Sequence, residues 1–106
     1  MEREAAIETL SKELTMDNLW ETLVLFAGHP FATMKGLEFT YTIKGYEMFV
    51  DRKEKSITRS SIEIAFQKAM ELMEQEGAVT GPKKLKVFGA SYLYPVFLRL
   101  GIIKGK

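Results

Sequence analysis

The stretch that decides the fold spans residues 36–50 and reads GLEFTYTIKGYEMFV. On both sides of Lys44 and Gly45, apolar and polar residues alternate, and a repeat of two residues is the pattern of a β-strand with one buried face. Glycine in a two-residue loop is typical of a tight hairpin turn. The stretch therefore predicts an antiparallel β-hairpin that turns at Lys44–Gly45.

The position of this turn also predicts which residues face each other across the hairpin. Placing Ile43 opposite Tyr46 puts the apolar residues of the alternating pattern on one face. That face comprises Phe39, Tyr41, Ile43, Tyr46, Met48 and Val50. On the other face Glu38 is expected opposite Asp51, where two like charges are mildly unfavourable, and we interpret its carboxylates as solvated groups. The apolar face is expected to pack on helices, because an isolated hairpin is only marginally stable in water.

The segment before the hairpin contains two short helical patterns, in which apolar residues recur about every 3.6 positions. A polar break separates them, and either Asp17 or Asn18 is expected to cap the second helix. Gly28 and Pro30 are typical of the residues that follow a helix end. Residues 1–35 therefore predict a helical hairpin.

Two further helices are predicted after the hairpin. Ser60, followed three residues later by Glu63, has the spacing of a capping box and predicts the start of the third helix. Ser91 follows a small turn and is expected to cap a last helix, which is too apolar to lie in a DNA groove. Residues 85–88 are too few for periodicity to decide between a helix and a third strand.

These patterns predict one α+β domain of order ααββαα, in which a two-stranded antiparallel hairpin packs on four helices. Its parts are a helical hairpin (residues 1–35), the β-hairpin (36–51), and a basic connector with the C-terminal helices (52–106). The chain has 106 residues, of which 46% are hydrophobic and 27% charged. Both the length and these fractions are ordinary for a single globular domain.

Composition excludes several classes of protein. The chain has no cysteine, which excludes disulfides, thiolate catalysis and every zinc site that needs sulfur. No apolar run approaches the roughly 18 residues of a membrane span, and the polar N-terminus does not resemble a secretory signal. We therefore expect a cytoplasmic location and no membrane partner.

The charge is unevenly distributed, although the net charge is only +1. Residues 1–34 carry six acidic and two basic side chains, whereas residues 77–106 carry six basic and no acidic ones. The connector after the hairpin, residues 52–61, reads RKEKSITRSS and has four cations beside one anion. Basic side chains next to a helix start favour phosphate groups. The competing interpretation is that the acidic half packs against the basic half of the same or another copy.

The leading functional interpretation is a small binding domain for DNA, RNA or another polyanion. Its predicted site consists of Arg52, Lys53, Lys55, Arg59 and Ser60, with Lys83, Lys84 and Lys86 as auxiliary contacts. This site requires the two basic runs to meet around the start of the third helix, where Arg99 could extend it. Phe49, Tyr92 and Tyr94 are the candidates for stacking on bases.

The alternative is a protein-interaction or homo-oligomerisation module, such as a homodimer. Its basis is a surplus of aromatic residues that one small core would leave partly exposed: Trp20, Phe31, Phe49, Tyr92, Tyr94 and Phe97. No catalytic constellation is recognisable: His29 is expected to bond the end of a helix, and Ser91 lacks the second glycine of a nucleophile elbow. We therefore predict no enzyme, no metal site and no cofactor.

Overall fold

The computed structural model describes residues 2–105, which form four α-helices, one short 3₁₀ helix and two small antiparallel sheets. The helices are α1 (Arg3–Lys12), α2 (Met16–Leu25), α3 (Arg59–Glu76) and α4 (Ala90–Leu100), and the 3₁₀ helix spans Pro82–Leu85. The strands are β1 (Phe31–Ala32), β2 (Glu38–Phe39), β3 (Tyr41–Lys44), β4 (Glu47–Val50) and β5 (Ile57–Thr58). The predicted α+β class and the order ααββαα are confirmed.

The predicted hairpin is formed by β3 and β4, but its turn lies one residue later than expected. Lys44 pairs with Glu47, so the two-residue loop is Gly45–Tyr46. Gly45 has φ of +61°, and a type II′ turn places glycine at this first loop position. Tyr46 is consequently in the turn and 69% exposed instead of on the buried face.

The choice of buried face survives this shift. Moving the turn by one residue changes the cross-strand partner of each residue by two positions, so the side chains keep their faces. Tyr41 pairs with Val50 and Ile43 with Met48, and three of these four side chains are buried. The sheet also gains a third strand, because β5 pairs with β4.

The predicted like-charge pair across the hairpin is wrong. Glu38 pairs with Ala32 in the separate two-stranded sheet of β1 and β2. Asp51 instead accepts hydrogen bonds from the backbone N–H and the hydroxyl of Thr40, at 3.2 and 3.4 Å. The two carboxylates therefore belong to different local structures.

The N-cap of α3 lies two residues before the predicted cap, Ser60. Thr58 is its N-cap and accepts a hydrogen bond from the backbone N–H of Ser61 at 3.1 Å, so Ser60 lies inside the first turn. Thr58 is already extended because it ends strand β5, where it pairs with Glu47. The strand pairing therefore selects the cap among several neighbouring hydroxyls.

The other two predicted caps are also displaced. Thr15 caps α2 and accepts from the backbone N–H of Asn18 at 3.2 Å. Helix α4 begins at Ala90 after Gly89, so Ser91 is an exposed residue of its first turn without an N-cap role. The residues before it, 86–88, form neither helix nor strand, which settles the choice left open for 85–88.

Two buried tyrosines link distant segments of the chain through their hydroxyls. Tyr41 and Tyr94 are buried and donate their hydroxyls to the backbone carbonyls of Leu23 and Val79, both at 2.6 Å. Burial raises the pKa of both phenols. Within residues 2–105 no helix combines the length and the hydrophobicity that a bilayer-spanning segment requires.

Candidate functional site

Three segments that are distant in sequence meet at the N-terminal end of α4. The ring of Tyr92, in the first turn of α4, packs edge-on against Phe39 of β2 at 5.0 Å between ring centres. Gly89, which precedes α4, lies directly against the side chain of Ile57 in β5. The loop before β2 and the connector before β5 are therefore both carried to this end of the helix.

A cleft of about 560 Å³ opens at this meeting point. It is lined by Lys35, Pro82, Lys83, Lys86, Val87, Phe88, Gly89, Ala90 and Ser91. Its volume is within the range of about 300–1,000 Å³ in which proteins hold small ligands or ligand fragments. Among residues 2–105, three lysines line it and no acidic residue does.

The connector contributes two more lysines beside this cleft. The ammonium nitrogen of Lys55 lies 4.8 Å from the ring centre of Phe88, and that of Lys53 lies 6.0 Å from the ring centre of Tyr92. Both distances are those of cation–π contacts. We call the set Lys35, Lys53, Lys55, Lys83 and Lys86 the cationic surface.

The ammonium groups of the cationic surface have no acidic partners. Among residues 2–105, none of the five lies within 4.0 Å of a carboxylate oxygen, and all five side chains are exposed. The ion pairs of the same range engage other cations: Lys12 with Glu8, Arg59 with Asp17, Lys68 with Glu71, and Arg99 with Glu4. Unpaired like charges gathered around one cleft create a positive potential that favours an anion.

The structure brings together half of the predicted site residues. Lys53, Lys55, Lys83 and Lys86 belong to the cationic surface, so the two basic runs do meet. They meet around the start of α4, which corrects the expected meeting point at the start of the third helix. Two further predicted residues are exposed without lining the cleft: Arg52, which donates its Nε–H to the backbone carbonyl of Glu38, and Lys84.

Arg59 and Ser60 lie elsewhere. The guanidinium of Arg59 donates to Asp17 at 2.8 Å and lies over the rings of Trp20 and Tyr46, at 5.6 and 5.8 Å from their centres. Ser60 borders a shallow depression beside Tyr46. Strand β5 separates these residues from the connector lysines, and the pairing of Arg59 with Asp17 leaves its charge less available to a ligand.

Two members of the site were missed by the sequence reasoning. Lys35 is isolated in sequence from both basic runs, and only the β1–β2 pairing brings it to the cleft. Phe88 is not among the site residues predicted from the sequence, yet it lines the cleft and is 40% exposed. Of the aromatic residues predicted to stack on bases, Tyr92 and Tyr94 are buried and only Phe49 is exposed. The position of Phe88 beside the turn at Gly89 is the local signal in the sequence that could have identified it as exposed.

Lys86 carries backbone strain within this site. It follows the 3₁₀ helix with φ of +55°, and it is the one non-glycine residue of the described range, 2–105, in the left-handed region. An L-residue there is disfavoured by about 1–2 kcal/mol, because its Cβ crowds the backbone. Such strain at an exposed cation is compatible with a role in binding.

We predict that Lys86→Gly leaves the free energy of unfolding unchanged or raises it by up to about 1 kcal/mol, since relief of strain exceeds the added entropy of the unfolded chain. Lys86→Ala should not be stabilised, because alanine keeps the Cβ. Urea denaturation of both variants measures the difference. A loss of stability on Lys86→Gly alone would show that the left-handed backbone is not strained.

The ring of His29 has a packing role, and the hydrogen bond to the helix end comes from its backbone N–H, which donates to the carbonyl of Phe26 at 3.0 Å. Its ring lies between Phe26 and Phe31, at 5.3 and 4.9 Å between ring centres. Its buried Nδ1 has no hydrogen-bond partner in the part of the chain that the structure describes. In the same range, no three histidine or acidic side chains are close enough together to hold a metal ion.

Comparison of the chain with known protein families, with curated proteins and with solved structures found no match. The feature with the clearest chemical preference is the cationic surface, which offers unpaired ammonium groups, the hydroxyl of Ser91 and the exposed ring of Phe88 in one place.

Proposed function

We propose that this protein is a non-enzymatic binding domain for nucleic acid and that the cationic surface is its contact site. The observation that carries the proposal is that three lysines line one cleft and two more lie beside it, and that within the described range, 2–105, none of the five has a carboxylate partner. Lysines and hydroxyls of this kind are common partners of phosphate oxygens in nucleic-acid complexes. Their charges also give association the long-range attraction on which such binding depends.

The distribution of acidic residues supports the same surface. The acidic segment of residues 1–34 forms α1 and α2, and its Glu4 pairs with Arg99 near the C-terminal end of α4. Helix α4 has 11 residues and is therefore about 16 Å long, which separates this pair from the cationic surface at its other end. The two ion pairs that join distant segments thus use Arg99 and Arg59, and among residues 2–105 the lysines of the cationic surface have no carboxylate partner. A molecule polarised in this way presents one preferred side to a polyanion.

Self-association remains a separate prediction, although its original argument is weaker. Of the six aromatic residues on which it rested, five are buried in the core of one chain, and only Phe49 is exposed. Packing within one chain therefore buries nearly all of the aromatic side chains on which this alternative depends. Sedimentation equilibrium over a range of concentrations tests it, and a stable dimer would revive this alternative.

Binding of a labelled oligonucleotide at increasing salt tests the proposed function. With five phosphate contacts, the logarithm of the association constant should fall against the logarithm of salt concentration with a slope of about −3.5 to −4.5. Polyglutamate of similar charge is the control, because it is a polyanion without phosphates or bases. Absence of binding at about 50 mM salt, or an affinity that does not change with salt, would overturn the proposal.

A further inference from the structure

We infer that the nucleic acid recognised by the cationic surface is single-stranded and that the ring of Phe88 stacks on one of its bases. This inference rests on the proposed function and goes beyond it, because the lysines alone do not distinguish one strand from two. The distinction comes from Phe88 and from the shape of the elements around it. In a duplex the bases are stacked on each other, so an aromatic ring finds no free base face.

The ring of Phe88 is presented to solvent within the lysine cluster. Phe88 is 40% exposed and lines the cleft, whereas Tyr92, the other ring of the surface, is 8% exposed. The preceding Leu85 is fully buried and Gly89 is pressed against Ile57, so the turn that carries Phe88 is anchored on both sides. The ring is thus held at a defined place instead of being free to fold into the core.

The ammonium group of Lys55 lies over the face of the Phe88 ring on which a base would stack. Its ammonium nitrogen lies 4.8 Å from the ring centre. An exposed cation–π contact is weak, so a base can displace the ammonium from the ring face. The released ammonium then stands beside the phosphate that follows the stacked base. When a base replaces the Lys55 ammonium on the ring of Phe88, the complex therefore gains both a stacking contact and a phosphate contact.

The elements around the surface do not suit a duplex groove. The buried side chains of α4 are Tyr92, Leu93, Tyr94, Val96, Phe97 and Leu100, so most of this helix faces the core. The first turn of α3 has its arginine, Arg59, engaged with Asp17. Helix α4 exposes few polar side chains, and the exposed polar face of α3 carries the carboxylates of Glu63, Glu71 and Glu74, which repel the phosphates that border the major groove. A concave cleft with an exposed ring instead fits a flexible strand whose bases can turn outwards.

Phe88→Leu, tested on three ligands of equal length, separates stacking from charge. The ligands are oligothymidylate, an abasic strand that has the same phosphates without bases, and a duplex. We expect Phe88→Leu to weaken oligothymidylate binding about 5- to 150-fold, the range for loss of one stacked base. Binding of the abasic strand and of the duplex should stay within about twofold, since their phosphate contacts are unchanged.

Phe88→Tyr is the matched control, because it keeps a ring and should keep the native affinity for oligothymidylate. Equal weakening of all three ligands by Phe88→Leu would overturn the inference, as would no weakening of oligothymidylate or native binding that is tighter for the duplex. Each of these outcomes leaves the proposed function in place. That function fails separately, if the native protein shows no salt-dependent binding to any of the three.

A spectroscopic readout supplements the affinities. Phe88→Trp places a second indole at the site, while the native Trp20 is buried and packs with Tyr46 on another part of the molecule. Oligothymidylate should quench the emission of Phe88→Trp and the abasic strand should not. Equal responses to both ligands would show that no base contacts the ring.

Discussion

Replacing Gly89 with alanine is expected to lower the free energy of unfolding by about 2–4 kcal/mol, through two effects that act at one atom. Gly89 has φ of +82°, in the left-handed region where a Cβ crowds the backbone. A Cβ at this position would also lie 2.7 Å from Cγ1 of Ile57 and closer still to its Cδ1. Because Ile57 is itself buried, the turn and strand β5 must move apart to accept the methyl group.

Gly101→Ala separates the two effects. Gly101 has φ of +78° at the C-terminal end of the same helix, and a Cβ there would meet no atom within 4 Å. This variant should lose only about 1 kcal/mol, the backbone part of the loss. Thermal unfolding gives both values: a fall of about 10–20 °C in Tm is expected for Gly89→Ala and about 5 °C for Gly101→Ala. Equal losses would show that the contact with Ile57 yields without cost.

The same contact determines the geometry of the cationic surface. Strand β5 is only two residues long, and its Ile57 is held between β4 and the turn at Gly89. Lys55 lies two residues before Ile57 in the connector, and its ammonium lies over Phe88, the residue before Gly89. Separating Gly89 from Ile57 would therefore also separate Lys55 from Phe88. A folded Gly89→Ala protein should accordingly bind oligothymidylate more weakly.

The β-hairpin was predictable because its information is local and redundant. An alternation of period two specifies the buried face several times over, so the error of one residue in the turn left Tyr41, Met48 and Val50 on the correct side. The helix caps were not predictable in this way. Thr58, Ser60 and Ser61 offer equivalent hydroxyls, and the choice of Thr58 depends on its pairing with a residue 11 positions earlier.

In the candidate site, too, the residues of a local charge run were predictable, whereas those brought together by the tertiary fold were not. The charge run predicted Lys53 and Lys55 correctly as cations beside a second basic segment. It could not show that Arg59, four residues beyond Lys55, would turn to Asp17 after the intervening strand. Nor could it connect Lys35 with Lys86, because that proximity is created by packing of the β1–β2 loop near α4. Proximity of this kind is a property of the tertiary fold, and no local pattern encodes it.

Replacing Lys53, Lys55 and Lys86 together with glutamine is expected to lower the affinity for single-stranded oligonucleotide about 500-fold at about 50 mM salt. Each lost phosphate contact reduces the slope of affinity against salt by about 0.7, so three contacts reduce it by about 2. If the native and variant curves meet near about 1 M salt, a 20-fold dilution of salt separates them by the stated factor. The fold should be kept, because all three side chains are exposed.

A matched triple variant decides whether the position of the charges or only their number governs binding. Lys12, Lys44 and Lys68, changed together to glutamine, lower the net charge from +1 to −2, as the first variant does. None of the three lines the cleft, and Lys12 and Lys68 are paired with carboxylates at 3.3 Å. This control should lose less than about tenfold, since charges beyond a Debye length, about 14 Å at this salt concentration, are largely screened. If both variants lost affinity equally, binding would be an effect of net charge and the cationic surface would not be a site. If the first variant differs from the control both in affinity and in the slope of affinity against salt concentration, the phosphate contacts lie on Lys53, Lys55 and Lys86.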